Sequence, residues 1–180
     1  YQRHIEELVA EHLRTVADDL DRHVRRMRSP KVVVVASEEN RPELESVLSN
    51  EVKNAIVGWA QAEAHAGASE LLEVATPVLE QWRSREEERV LERWREETAT
   101  NGRGVSGWAA TMEAASDGRV DCLLAQEGAN RHGWQCPQCG RVAAEAGACP
   151  LDGTAMEESD AGLDLAVHQT LAHGGTIWIV

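Results

Sequence analysis

Three cysteines and an aspartate stand at the spacing of two metal-binding knuckles in the last third of this 180-residue chain. "CPQCG" sets Cys136 and Cys139 two residues apart, where a tight turn lets both thiolates face one ion and the glycine lets the backbone double back. "CPLDG" repeats the design with Cys149 and puts Asp152 at the fourth corner, with nine residues between Cys139 and Cys149. Zinc takes a tetrahedral shell of thiolates and imidazoles and accepts carboxylates, so a Cys₃Asp shell is feasible. With no general base nearby, such an ion would be structural rather than hydrolytic. Two alternatives stay open. His132, four residues before Cys136, is a rival fourth ligand. Alternatively, Asp152 forms an Asx-turn with Gly153 and no metal is retained. The segment has few apolar residues for a core, which favours the metal.

Other chemistry is sparse. The run "DRHVRRMRSPK" collects Arg22, Arg25, Arg26, Arg28 and Lys31. Such a cluster either contacts nucleic-acid phosphates or is a solvated helix end whose cations favour the C-terminal dipole. No Ser/His/Asp elbow, P-loop or dinucleotide fingerprint is present, and no catalytic residue is assigned. Cys122 sits in an apolar run and is expected to be a buried, inert thiol. Trp134, beside the first knuckle, is the tryptophan expected to be exposed.

The composition bounds the class. A formal net charge of −13 argues against a general polyanion binder. Four cysteines, three in one short segment, suit a metal site in a reducing compartment better than a disulfide framework. No apolar run approaches the roughly 18 residues of a membrane span, so a soluble, cytoplasmic protein is expected. The start at Tyr1 and the end on an apolar strand suggest a piece of a longer protein.

The elements that must position these residues alternate between helix and strand. Ile5, Leu8, Val9, Leu13, Val16, Leu20, Val24 and Met27 recur at helical spacing. "KVVVVAS" reads as a covered parallel strand, "RPELESVLSN" as a short helix and "NAIVGWAQA" as a second strand. A long helix spans 69–98, with an apolar stripe interrupted by "RSREEER". "TATNGRG" breaks the pattern, which sets expected domains at 1–100 and 101–180. Beyond it, "VSGWAATMEAAS" reads as a helix and "RVDCLLAQE" as a strand. The cysteine-rich insertion occupies 132–157, and helix "GLDLAVHQTLAHGG" and strand "TIWIV" follow. The class is α/β, with two small layered domains.

The stretch "NGRGVSGWAATMEAASDGRVDCLLAQEG" resembles the opening of the third domain of archaeal and eukaryotic class 1 peptide chain release factors and Pelota. The matching positions are Gly102, Gly107, Ala115, Gly118, Val120, Leu123, Leu124 and Glu127. In archaeal members a four-cysteine minidomain follows this strand, where Cys136, Cys139, Cys149 and Asp152 fall here. Residues 1–98 resemble the rest of the family's middle domain. The match is nearest the bacterial branch, which includes ribosome-hibernation factors of the Balon type.

The resemblance implies a ribonuclease-H-like first domain and a second domain similar to ribosomal-protein-like kink-turn binders, with a zinc-ribbon-like insertion. It implies a translation or stress factor that binds the ribosome, in the A site during hibernation, through rRNA or tRNA and with a translational GTPase as a further partner. No catalysis is expected within these residues. The family's Gly-Gly-Gln tripeptide is absent from them, and one alternative is a release factor or peptidyl-tRNA hydrolase whose catalytic loop lies upstream of Tyr1. A second alternative is a non-ribosomal interaction domain.

Overall fold

The computed structural model describes residues 2–27, 30–63, 65–100 and 102–180, with side chains from residue 7 onward. The chain forms two compact units, Tyr1–Glu86 and Glu87–Val180. The division falls within the charged stretch of a long helix.

The first unit begins with helix α1 (Gln2–Arg26), followed by strand β1 (Val32–Val35), helices α2 (Arg41–Val47) and α3 (Asn50–Ala55), strand β2 (Ile56–Ala60) and the start of helix α4 (Ala68–Ala99). Strands β1 and β2 pair in parallel, as an uninterrupted β-branched run suggests. The core joins Leu13, Ala17 and Val24 of α1 to Leu44, Leu48, Val52 and Ala55. Only the middle and later turns of α1's apolar series are covered. Leu8, Val9, Val16 and Met27 are exposed, because α2 and α3 are too short to cover the whole stripe.

The reading of 41–50 as one helix needs correction. Leu48 is extended and ends α2, and Ser49 starts α3 by accepting the Val52 N–H at 3.2 Å. Ser49 therefore acts as an N-cap rather than as part of a helix end, and β2 starts only at Ile56. Helix α4 runs through Pro77 with no fully buried residue. Its Val78 lies so close to Gly58 of β2 that any Cβ there would collide with it.

The second unit contains helix α5 (Trp108–Ser116), strand β3 (Cys122–Ala125), short strands β4 (Gly133–Gln135), β5 (Val142–Ala143) and β6 (Glu157–Ser159), helix α6 (Gly162–Ala172) and strand β7 (Thr176–Ile179). Both helices end at a glycine with positive φ, Gly118 at 66° and Gly174 at 85°. Each satisfies the last carbonyls through backbone bonds and turns the chain into a strand. The two strands, β3 and β7, pair in parallel, with Leu123 opposite Ile177 and Leu124 opposite Trp178. The α/β expectation holds. Cys122 is half-buried in β3.

The cysteine segment is a separate antiparallel sheet of order β5-β4-β6. Its strands are two or three residues long, too short to show a period-2 pattern in sequence. Yet it is not a loose appendage. Val142, 2% exposed, shares a core with Met112, Leu123 and Ala166. Trp134 is half-buried on β4 rather than exposed.

Candidate metal centre

Helices α5 and α6 hold the cysteine sheet from below. The Val142 N–H donates to Ser116 Oγ at 2.8 Å, and Gln169 Nε2 donates to the Gly140 carbonyl at 2.9 Å. Asp117 receives Arg141 at 2.8 Å and Arg119 at 3.0 Å. Those two guanidiniums hold the Asp117 carboxyl below its usual range, Arg141 contributing most. Trp108 Nε1 donates to the His132 carbonyl at 3.0 Å. Gly162 meets Arg131 and Gly133 backbone to backbone, and the Gly162 N–H donates to the Arg131 carbonyl at 2.8 Å. A side chain at residue 162 would separate α6 from the sheet.

On this base the knuckles have the same backbone. The Cys136 N–H donates to the Arg141 carbonyl at 2.8 Å, and the Gly140 N–H returns to the Cys136 carbonyl at 2.9 Å. In the second, the Cys149 N–H donates to the Thr154 carbonyl at 2.7 Å, and the Gly153 N–H to the Cys149 carbonyl at 2.8 Å. Gly140 and Gly153 have φ of 76° and 74°. Asp152 therefore occupies the position in the second turn that Cys139 occupies in the first.

Cys136, Cys139, Cys149 and Asp152 converge, with ligand atoms all within 4.8 Å of one another. Cys139 Sγ lies 3.5 Å from Cys149 Sγ, and Cys136 Sγ lies 3.4 Å from Asp152 Oδ2. Ligands on a tetrahedral zinc stand about 3.8 Å apart for two sulfurs and about 3.5 Å for sulfur and oxygen, from the usual bond lengths. The residues thus fit a divalent ion with a three-sulfur, one-oxygen shell. His132 is not in this group. Its Nδ1 lies 3.1 Å from Glu158 and 3.2 Å from Asp160.

Asp152 has two oxygens, and the two face different neighbours. Oδ1 accepts the Thr154 N–H at 2.9 Å, closing the Asx-turn, and Oδ2 is the oxygen nearer Cys136. The Thr154 N–H and hydroxyl, helped by the neighbouring thiols, bring the Asp152 carboxyl down to about 2. Burial raises the Cys149 thiol, but the N–H groups of Leu151 and Asp152 outweigh it and leave the thiol lowered. At Cys139 the Arg141 N–H acts downward, yet desolvation and the adjacent thiols push it up to about 11. Thr154 escapes a reading by ligand type; its signal is the repeated turn, "CPQCGR" against "CPLDGT".

Two of the five cations in the run are ion-paired. Arg22 pairs with Asp19, and Arg25 with Asp21 at 2.6 Å and Glu51 at 3.4 Å. Lys31 Nζ lies 5.2 Å from the ring centre of Trp82. Arg26 makes no ion pair among the described residues, and Arg28 lies outside them.

The chain is thus two α/β units, the second carrying the docked knuckle sheet. The chain belongs to the family described as bacterial archaeo-eukaryotic release factor family 3, whose model matches residues 2–119. A translation-related role and a general association with the ribosome follow from that membership. Among solved structures, the C-terminal domain of the peptide chain release factor from Methanosarcina mazei is similar, at 21% identity and a TM-score of 0.43. The alignment covers 65% of this chain and 83% of that one. A comparison with curated proteins finds no match. No helix among the described residues is long and apolar enough to cross a membrane.

Proposed function

We propose that this chain is part of a cytoplasmic ribosome-binding factor that occupies the A site during stress or hibernation and does no chemistry itself. The observation that carries this reading is the family match over residues 2–119. Its domains would be a release-factor-like middle domain, 1–100, and a C-terminal domain, 101–180. A structural zinc held by Cys136, Cys139, Cys149 and Asp152 would stiffen the exposed knuckles for docking. The convergent donor geometry supports this.

Phosphate contact from Arg22, Arg25, Arg26, Arg28 and Lys31 would compete, at Arg22 and Arg25, with the carboxylates that engage them. A translational GTPase is the partner the family reading adds. The test is co-sedimentation of the intact protein with ribosomes before and after starvation. Enrichment in the 70S fraction on starvation is expected; retention in the ribosome-free supernatant under every condition overturns the proposal. Release of peptide from peptidyl-tRNA by the intact protein would replace it with the enzymatic alternative.

A further inference from the structure

We infer that Cys139 and Cys149 are a thiol pair that a peroxide can close into a disulfide, and that their oxidation dismantles the four-donor site. The positions of the sulfurs carry it, whether or not the protein binds the ribosome. The two sulfurs are 3.5 Å apart across the two knuckles. Cys139 is exposed and Cys149 is buried, so an oxidant reaches Cys139 first and Cys149 is held directly behind it. Cys136 is buried and its thiol is directed at the Asp152 carboxylate, 3.4 Å away, which sets it apart from the pair.

The reaction balances with a peroxide as the named oxidant. Cys139 gives up its proton and its sulfur attacks hydrogen peroxide; an S–O bond forms, the O–O bond breaks, and the departing hydroxide takes up a proton and leaves as water, giving a sulfenic acid. The Cys149 sulfur then attacks that sulfur; an S–S bond forms, the S–O bond breaks and a second water leaves. Two thiols lose two hydrogens and two electrons, and the peroxide is reduced to two waters.

The aspartate gives this centre a different outcome from a four-cysteine one. Four cysteines can close as two disulfides, whereas three leave one thiol over. Here the remaining thiol is Cys136, which has no cysteine of the cluster left to pair with. A bound divalent ion would lose two of its four donors in the step and dissociate.

The experiment treats the full chain, as purified, with a stoichiometric amount of hydrogen peroxide. Free thiols are then blocked, and intact mass and peptide linkage are read. The expected result is a fall from four reactive thiols to two, with loss of two hydrogens and a Cys139–Cys149 cross-link that a dithiol reverses. In Cys149→Ser, Cys139 should accumulate as a sulfenic acid trapped by a carbon nucleophile, while Cys136→Ser should still form the cross-link. A dominant linkage through Cys136, or oxygen gain at Cys139 without a cross-link, overturns the inference. So does a cluster that keeps all its thiols. A chromogenic chelator follows metal release in the same samples, and the thiol readout decides even where no metal is released.

Discussion

The two knuckles share a backbone and differ in their last ligand. Cys136 to Arg141 and Cys149 to Thr154 close with the same pair of backbone hydrogen bonds and the same left-handed glycine, within 2° in φ. Yet one presents two sulfurs and the other a sulfur and a carboxylate. The difference teaches that the turn is set by glycine and backbone bonding rather than by the ligand atom. The Asp152 carboxylate closes its turn with Oδ1 through the Thr154 N–H and keeps Oδ2 toward Cys136.

The strongest way to break this comparison is to remove what the knuckles share. Chelation of a bound ion, or Cys136→Ser, should lower the stability of the second unit by about 4 kcal/mol for free ion at about 1,000 times its Kd. Thermal unfolding with and without chelator checks this. The chelated wild type and Cys136→Ser should coincide, and a chelator-indifferent wild type would remove the metal from the account.

Next comes the fourth corner. Asp152→Asn keeps an oxygen for the Thr154 N–H but gives up the anionic ligand, so metal affinity should fall about ten-fold or more, about 1.4 kcal/mol. Asp152→Cys should bind more tightly than the wild type. Competition titration against a chromogenic chelator ranks all three, and an Asn variant as tight as wild type would make Asp152 a turn-former alone.

A smaller effect tests the equivalence of the turns. Nothing lies within 4 Å of a Cβ built on Gly140 or Gly153, so each Gly→Ala change carries only the cost of positive φ, about 1–2 kcal/mol. Chemical denaturation should find the two costs alike. A clear inequality would show that the knuckles are held differently.

The smallest effect lies in the base below them. The Asp117 pKa is lowered in the folded chain, so its ion pairs stabilise above the ordinary value of 3.8, and that contribution is lost as pH falls through the folded value. Asp117→Asn should cost no more than about 1 kcal/mol near neutral pH, because the pairs are partly solvated. It should also flatten the acid limb of the stability profile below about pH 4. An unchanged acid limb would dissociate Asp117 from the knuckle sheet's support.

How much of this was legible follows the length of each signal. The long helix through 68–99 and the β-branched run at 32–35 carry enough residues for periodicity and composition to declare them. The break between α2 and α3 escaped notice because Ser49 and Asn50 suit a helix start as well as a helix stop, and only the Val52 N–H decides. Strands β4 to β6 were invisible for a simpler reason: two or three residues show no alternation. The four donors could be named from spacing alone. The surroundings of His132 could not, since its position four residues from Cys136 says nothing of its approach to Glu158 and Asp160.

The amino-acid sequence by itself determined the donor types, the paired turns and the α/β alternation, because these depend on neighbours a few residues apart. It also carried the family resemblance. Tertiary structure alone decided that the cysteine sheet docks on α5 and α6, that Cys139 faces Cys149, and that each oxygen of Asp152 has a different neighbour. Those outcomes depend on atoms 10 to 30 residues apart meeting at a few ångströms, and local chain chemistry does not encode such distances.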